Sequence, residues 1–239
     1  GGTQKAIADA GIPVTGVSDV TGFPECLDGR VKTLHPKVHG GLLQRRDLEE
    51  HQQQAKDNNI PTIDLVCVNL YPFEETVAKE GVTLAEAIEK IDIGGISLIR
   101  AGAKNFKEAV IVPDSKYYLE FMELYKNQDG CTSLEDRKRF AKYAFATSSH
   151  YDGMIYDWFA KDSDSADLNI HISDRSELRY GENPHQKATF YGKLDEVFEK
   201  LHGKDLSYNN LLDLEAGLNL IREFNEPTFA ILKHNNPCG

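Results

Sequence analysis

Short apolar runs that alternate with helical patterns constrain the fold of this chain most strongly. Two runs, residues 63–70 and 109–112, are rich in β-branched side chains and lie next to prolines. Such runs are typical of strands that are buried on both faces of a sheet. Helical patterns cover residues 82–91, 114–126 and 133–157. Strands that alternate with helices predict an α/β fold with a parallel sheet.

The remaining elements are predicted from local signals. Thr83 and Glu86 have the spacing of a capping box, in which each side chain accepts a hydrogen bond from the backbone of the other residue. This pair indicates the start of the helix at 82–91. The weaker patterns predict helices at residues 4–10, 48–58 and 210–223, and strands at residues 14–20 and 228–232.

The composition limits the possible function classes. Of the 239 residues, 40% are hydrophobic and 27% are charged, which is typical of a soluble globular protein. The net charge of −11 argues against nonspecific binding to nucleic acid or to anionic membranes, since both need a basic face. No apolar run approaches the roughly 20 residues of a membrane span. The four cysteines lack the spacing of a zinc site and predict reduced thiols in the cytoplasm.

A serine- and aspartate-rich stretch, residues 161–167, separates two regions of different character. Such a composition is typical of a linker. We therefore predict a first domain over residues 1–160, a linker over 161–176 and a second domain over 177–239. The chain begins without methionine and ends directly after an apolar run. We expect it to be an internal piece of a longer protein, with both domains truncated.

The segment 28–41 concentrates cations between glycines, and it includes Arg30 and Lys32. It has no helical or strand period, so we expect a loop. An arginine can bind two phosphate oxygens at once and a lysine adds a point charge, which suits a small dianionic ligand. The alternative is a solvated basic turn. His35 and His39 have a spacing found among metal ligands, but without a third ligand we predict no metal site.

Three polar segments adjoin the predicted strands. Residues 69–73 follow the first strand, residues 92–95 follow the helix at 82–91, and residues 100–105 precede the second strand. In a parallel α/β sheet, ligands bind at the carboxyl ends of the strands. We therefore expect all three segments to contribute to one site.

Individual residues in these segments also have purely structural interpretations. Tyr71 would be a packed ring, Asp92 a turn or helix cap, and Lys104 a solvated side chain. Gly94 and Gly95 suggest either a backbone that a ligand approaches closely or a left-handed conformation. The residues alone leave these alternatives open.

Taken together, the motifs closely resemble one family, the bifunctional purine biosynthesis proteins that combine an IMP cyclohydrolase domain with an AICAR transformylase. The cyclohydrolase motifs are Gly-Gly-Thr (1–3), Thr-Gly-Phe-Pro (21–24), the 14-residue block 28–41, Asn-Leu-Tyr-Pro-Phe (69–73), Ile-Asp-Ile-Gly-Gly (91–95) and Ala-Lys-Asn (103–105). The transformylase motifs are residues 178–186, 206–213 and 233–239. The resemblance covers essentially the whole chain.

The resemblance implies a fold and an activity. The fold would be a methylglyoxal-synthase-like open parallel sheet flanked by helices, followed by the beginning of a cytidine-deaminase-like α/β transformylase domain. The activity would be formyl transfer from 10-formyltetrahydrofolate to AICAR, followed by dehydrative closure of 5-formamido-imidazole-carboxamide ribotide (FAICAR) to IMP. Cyclisation would need no cofactor or metal. The partners would be the nucleotides AICAR, FAICAR and IMP, without nucleic acid or membrane, in a homodimer.

The resemblance also nominates site residues, and implies that the chain carries most of the cyclohydrolase site and only part of the transformylase site. Substrate-binding roles fall on Gly1, Gly2, Thr3, Arg30, Val31, Lys32, Thr33, Val68, Asn69, Asp92, Ile93, Gly94, Gly95, Arg179, Tyr180 and His234. Catalytic roles fall on Lys104, Lys32, Asp92, Tyr71, His234 and Lys233.

The chemistry suggests how the cyclohydrolase residues divide their work. A lysine is protonated at neutral pH by default, so we expect Lys104 to act as the acid for the departing hydroxyl. Asp92 would orient the attacking amide, and Lys32 would polarise the formyl oxygen, although the sequence does not separate the two lysines. For formyl transfer, an imidazole such as that of His234 suits the role of base.

Two other functions remain open at this point. One is a methylglyoxal-synthase-like lyase that releases phosphate. The other is a nucleotide-binding module without catalytic activity.

Overall fold

The computed structural model describes residues 2–161, 168, 170, 172 and 174–239. The chain divides into two compact units, Gly1–Asn169 and Ile170–Gly239. Each unit has its own helices and strands. The elements of the first unit are α1 (Gly2–Asp9), α2 (Val17–Thr21), α3 (Pro36–Leu43), α4 (Glu49–Asp57), β1 (Leu65–Cys67), α5 (Phe73–Val77), α6 (Leu84–Ile88), α7 (Gly94–Lys104), β2 (Val110–Val112), α8 (Tyr118–Asn127) and α9 (Leu134–Ala160).

Strands β1 and β2 form the parallel pair that the sequence predicts. Leu65 lies opposite Val110, and Cys67 lies opposite Val112. The pairing continues past β1, because the Val68 amide donates to the Val112 carbonyl at 3.0 Å. With helices packed around these strands, the α/β fold with a parallel sheet is confirmed.

Strand β2 is the centre of the first unit, and all three of its residues are buried. Ile111 packs with Ile99 of α7 and Ala144 of α9. Val112, whose side chain points to the other face, packs with Phe121 of α8 and Phe140 of α9. The helices therefore cover β2 on both faces, as its continuous apolar run predicts.

The first predicted strand is shorter and less buried than expected. Residues 63–70 were predicted to be a buried strand, but β1 spans Leu65–Cys67 and only Val66 is buried. Among the described residues β1 pairs with β2 alone. Its alternate side chains, Leu65 and Cys67, therefore remain exposed.

The strand predicted at residues 14–20 is wrong, because α2 begins there at Val17. The Gly16 amide donates to the Asp19 carboxylate at 3.2 Å, which starts the helix. Gly22 ends it in the left-handed conformation, with φ of 70°. Four β-branched residues misled the prediction, and the glycines that bracket the helix carried the correct signal.

The segment 28–41 is not a loop throughout, because α3 begins at Pro36. Proline is favoured at the first helical position, and the His35 imidazole caps the helix by accepting the Lys37 amide at 3.1 Å. Gly41 is needed for packing, since a Cβ there would lie 2.5 Å from the Pro61 carbonyl oxygen. The loop prediction is confirmed only for the part before the helix.

The helices predicted at 114–126 and 133–157 are present as α8 and α9, whereas the helix predicted at 82–91 is only the five-residue α6. Ser133 caps α9 by accepting the Asp136 amide at 3.1 Å. The Thr83–Glu86 capping box is present at the start of α6, with the Thr83 amide 2.9 Å from the Glu86 carboxylate. A short 3-10 turn, Ser115–Tyr117, precedes α8.

The second unit consists of short elements. They are β3 (Arg175–Leu178), β4 (Ala188–Tyr191), a 3-10 turn (Leu194–Glu196), α10 (Tyr208–Ile221), β5 (Leu232–Lys233) and β6 (Asn236–Pro237). Strands β3 and β4 are antiparallel, as are β5 and β6. The strand predicted at 228–232 is mostly wrong, since β5 begins only at Leu232. Of the predicted linker stretch 161–167, residues 162–167 lie outside the described residues.

The described ranges hold neither a membrane-spanning helix nor a cluster of metal ligands. None of the described helices combines the length and apolar character that a membrane span requires. In the same ranges, no group of three or more His, Cys, Asp or Glu side chains is arranged to hold a metal ion.

Candidate active site at the start of helix α7

Asp92 connects the start of α7 to the segment that follows β1. Its carboxylate accepts the Gly95 amide at 2.6 Å, which satisfies one of the free N–H groups at the start of the helix. It also accepts the Tyr71 amide at 3.4 Å. Two of the segments predicted to share a site, 69–73 and 92–95, therefore meet at one side chain.

Glycines allow this close packing. A Cβ on Gly94 would lie 2.7 Å from the hydroxyl oxygen of Thr33, and a Cβ on Gly95 would lie 2.5 Å from the Asp92 carboxylate. Real Cβ contacts are essentially never this short. The glycine pair therefore lets the loop that carries Thr33 approach the start of the helix.

The two cations of this loop are paired with carboxylates. Arg30 pairs with Glu89, and both side chains are more than half exposed. The Lys32 ammonium lies 2.5 Å from the Glu25 carboxylate, and this hydrogen bond and charge lower the pKa of Glu25. The exposed Arg30–Glu89 pair contributes little to stability. A phosphate dianion could therefore replace Glu89 at Arg30 at small cost.

Lys32 also lines a pocket of about 210 Å³. The walls include Phe23, Val31 and His35. The Lys32 side chain is only 23% exposed, so most of it lies against the protein surface. Residues 31, 32, 34 and 35 line this pocket, and Thr33 between them contacts Gly94.

The other nominated residues on this side are accessible to a ligand. Tyr71 is 55% exposed, and the Lys90 ammonium lies 5.9 Å from the centre of its ring. Asn69 and Ile93 are also exposed, whereas Val68 packs partly against the core. These positions suit contacts with a planar ring.

Sequence reasoning missed one residue of this region, Tyr151 of α9. Its hydroxyl accepts the Asp92 amide at 2.7 Å and donates to the Lys90 carbonyl at 2.7 Å. Tyr151 is 8% exposed, and burial raises the pKa of its phenol. It lies 59 residues after Asp92, and no local pattern signals such a contact.

Lys104 does not join this cluster. It is the last residue of α7, so it lies about 15 Å along the helix axis from Gly94. It lines a separate pocket of about 420 Å³ with Arg45 and His51. The expectation that residues 100–105 gather with the other two segments is therefore wrong, because α7 runs from the site toward the amino end of β2.

The first nominated residues show no bond to the cluster among the described residues. Gly2 and Thr3 form the first turn of α1, a helix with no buried residue. Within the described residues, no hydrogen bond or ion pair links them to Thr33 or Gly94. Gly1 lies outside the described residues.

In the second unit, Arg179 and Tyr180 lie beside the start of α10. The Arg179 guanidinium lies 4.8 Å from the centre of the Tyr180 ring. A hydrogen bond with Ser207 and the charge of Arg179 lower the pKa of Tyr180. The Tyr208 amide donates to the Tyr180 carbonyl at 3.1 Å, which holds the pair against the helix.

Lys233 is the last residue of β5, and His234 follows it on the tight turn between β5 and β6. His234 and Asn235 have positive φ values of 54° and 62°. The Asn235 amide donates to Asp213 of α10 at 2.8 Å. The turn is therefore bonded to α10, the helix to which Tyr180 is also bonded. Lys233 and His234 are exposed.

The fold and these motifs agree with two family models. The model for MGS-like domains matches residues 1–97, which identifies the class of the first part of the chain. The model described as the AICARFT/IMPCHase bienzyme matches residues 102–239, more than half of the chain. The chain belongs to the AICARFT/IMPCHase bienzyme family, and the resemblance inferred from the motifs is confirmed.

Similar proteins support this assignment. The bifunctional purine biosynthesis protein PurH of Bacteroides thetaiotaomicron is 53% identical over all of this chain, which covers 47% of that relative. PurH of Rhodospirillum rubrum is 52% identical, again over the whole chain and 47% of the relative. The crystal structure of ForH superposes with a TM-score of 0.55 at 33% identity, covering 66% of this chain and 83% of ForH. The chain spans about half the length of the curated relatives it matches.

Proposed function

We propose that the first unit catalyses the dehydrative closure of FAICAR to IMP at the start of α7. The observation that carries the proposal is the position of Asp92, whose carboxylate accepts the amides of both Gly95 and Tyr71. One carboxylate thereby joins the exposed Tyr71 segment to the helix start beside Thr33. The names of the PurH relatives support the same activity.

In this reaction the carboxamide nitrogen attacks the formyl carbon, a C–N bond forms, and the former formyl oxygen leaves as water. Both groups are attached to one imidazole ring, so proximity is largely built into the substrate. The enzyme must hold the reactive rotamer, stabilise negative charge on the formyl oxygen and supply a proton to the leaving hydroxyl. Asp92 would accept a hydrogen bond from the attacking amide and orient it.

Arg30 and Thr33 of the loop would bind the phosphate of the nucleotide, because an arginine can bind two phosphate oxygens and a hydroxyl can donate to one. The phosphate would replace Glu89 at Arg30, and the formyl group of the base would replace Glu25 at Lys32. The base and ribose would be bordered by Val31, Val68, Asn69 and Ile93. By the resemblance, the first turn of α1 would also contact the nucleotide.

The position of the two lysines favours Lys32 as the acid. Lys32 adjoins Thr33, which contacts Gly94 at the Asp92 end of α7. Lys104 lies at the far end of that helix, about 15 Å away along the axis. We therefore assign proton donation to Lys32, and Lys104 remains a candidate from the resemblance alone.

The second unit would contribute to formyl transfer from 10-formyltetrahydrofolate to AICAR. The Arg179–Tyr180 pair would bind AICAR, and His234, with Lys233 beside it, would remove a proton from the attacking amine. The attachment of both groups to α10 supports a shared site.

We also propose the domain organisation, location and oligomeric state of the enzyme. The domains would span residues 1–160 and 177–239 with a linker between them, and the protein would be a cytoplasmic homodimer. The substrates and product would be the small nucleotides AICAR, FAICAR and IMP.

The test is to incubate the purified protein with FAICAR in the absence of folate and to follow IMP formation by ultraviolet absorbance. Formation above the uncatalysed rate supports the cyclohydrolase function. Tight binding of IMP by the folded protein without turnover would contradict it and favour a noncatalytic nucleotide-binding module. Release of phosphate from a triose phosphate would favour a methylglyoxal-synthase-like lyase.

A further inference from the structure

Tyr151 makes its two hydrogen bonds to the backbone on either side of Ile91. The hydroxyl accepts the Asp92 amide and donates to the Lys90 carbonyl, each at 2.7 Å. This segment connects α6 to α7 and has no regular secondary structure of its own. A buried amide or carbonyl that loses its partner is costly. The phenol therefore fixes the backbone from which the Asp92 side chain extends.

The ring of Tyr151 also reaches the second segment of the site. It packs against Phe73 with ring centres 6.3 Å apart and an angle of 68° between the planes. Phe73 is two residues from Tyr71, whose amide donates to Asp92. The Phe73 amide donates to the Tyr71 carbonyl at 2.8 Å. One buried side chain of α9 thus contacts both segments that meet at Asp92.

We propose that Tyr151 is a positioning residue for ring closure, which holds the Asp92 carboxylate in register with the Tyr71 segment. This inference rests on the proposed cyclohydrolase function. Tyr151 acts through Asp92 rather than on the substrate, because both hydrogen bonds of its hydroxyl go to the backbone. Its effect is on the reactive geometry, so it concerns kcat more than substrate binding.

The test compares Tyr151→Phe with Tyr143→Phe in the purified protein. Tyr143 is a matched control, since it lies on the same helix and its hydroxyl bonds the Glu120 side chain at 3.4 Å, away from Lys90 and Asp92. Tyr151→Phe should lower kcat for IMP formation by about tenfold to a hundredfold with KM changed by less than about twofold. Tyr143→Phe should leave both constants within about twofold of those of the unaltered protein.

Two kinetic outcomes would overturn the proposal. One is an unchanged kcat in a folded Tyr151→Phe protein. The other is an equal loss in Tyr151→Phe and Tyr143→Phe, because that would indicate general damage to the packing of α9.

A second measurement separates this proposal from the cyclohydrolase function. Hydrogen exchange of the Asp92 amide in the unaltered protein should be slow, because its acceptor is the Tyr151 hydroxyl, and Tyr151→Phe should abolish this protection. Exchange of that amide at the unprotected rate in the unaltered protein overturns the positioning role, whether or not the variant folds. If the amide is protected but no IMP forms in the unaltered protein, the cyclohydrolase function fails and the positioning role for ring closure fails with it.

Discussion

The hydroxyl oxygen of Thr33 lies 2.7 Å from the position that a β-carbon would occupy on Gly94. This contact joins the loop that carries Arg30 and Lys32 to the start of α7. The amide of the next glycine, Gly95, donates to the Asp92 carboxylate at 2.6 Å. The candidate phosphate-binding loop and the candidate catalytic carboxylate are therefore adjacent at one helix end.

Gly94→Ala tests this adjacency. The added methyl group should displace Thr33 and the loop, because overpacking of this kind costs about 1–3 kcal/mol. We expect KM for FAICAR to rise by about tenfold and the melting temperature to fall by a few degrees. Steady-state kinetics of IMP formation measures the effect.

Gly217→Ala is the matched control for that substitution. Gly217 lies within α10, and a Cβ there would come no closer than 3.4 Å to another atom, an ordinary contact. The control should keep its KM and gain some helix stability. An unchanged KM in Gly94→Ala would show that the loop does not depend on this contact.

Lys32→Ala and Lys104→Ala separate the two candidate acids. Loss of a proton donor lowers the rate by about a hundredfold to ten thousandfold. We expect a kcat loss in this range for Lys32→Ala and a much smaller loss for Lys104→Ala, because Lys104 lies at the other end of α7. The reverse order would return the proton-donor role to Lys104.

Asn105→Leu tests the junction between α3 and α7. The Asn105 side-chain amide donates to the carbonyls of Leu42 at 2.7 Å and Gln44 at 2.9 Å, at the end of α3 where helical carbonyls lack intrahelical partners. Removing both bonds should lower the free energy of unfolding by about 2–4 kcal/mol.

Asn58→Leu is the control for that variant. Asn58 is exposed, and its side-chain amide donates to the Gln54 carbonyl at 2.8 Å. Its substitution should change the free energy of unfolding by less than about 0.5 kcal/mol. Equal midpoints for the two variants in urea would contradict the role given to Asn105.

Asp136 should make the first unit sensitive to acid. Hydrogen bonds from Ser133 and Gln128 hold the pKa of Asp136 below its ordinary value of 3.8. A carboxyl with a lowered pKa in the folded state stabilises the protein above its unfolded pKa, and this stability is lost as the pH falls through the folded pKa.

The measurement is the free energy of unfolding from pH 6 to pH 2, in the unaltered protein and in Asp136→Asn. Near neutral pH the variant should be less stable by about 1 kcal/mol, because a cap is weakened. Below about pH 4 the difference should shrink. A constant difference across this range would mean that Asp136 does not titrate differently in the folded state.

Local chemistry made much of the fold predictable. The capping boxes at Thr83 and Ser133 fix the starts of α6 and α9, and the continuous apolar run at 109–112 identifies β2. The motif that includes Asp92 and the glycines after it identified part of the candidate site. These features depend on residues within a few positions of each other.

Other features depend on contacts between distant parts of the chain. The bond between Tyr151 and Asp92 spans 59 residues, and that between Asn105 and Leu42 spans 63. The separation of Lys104 from Asp92 follows from the length of α7, which a motif alone does not convey. The prediction of a strand at 14–20 was wrong for a different reason, because its β-branched residues were given more weight than the glycine signals at Gly16 and Gly22.

The most direct measurement of the central proposal is single-turnover conversion of FAICAR to IMP by the unaltered protein, Asp92→Asn and Asp114→Asn. Asp114 is a matched control, since its carboxylate also caps a turn, by accepting the Lys116 amide at 2.9 Å. We predict ring closure by the unaltered protein and by Asp114→Asn at similar rates, and a rate at least about a hundredfold lower for a folded Asp92→Asn. Equal rates for all three proteins would contradict a catalytic site at Asp92.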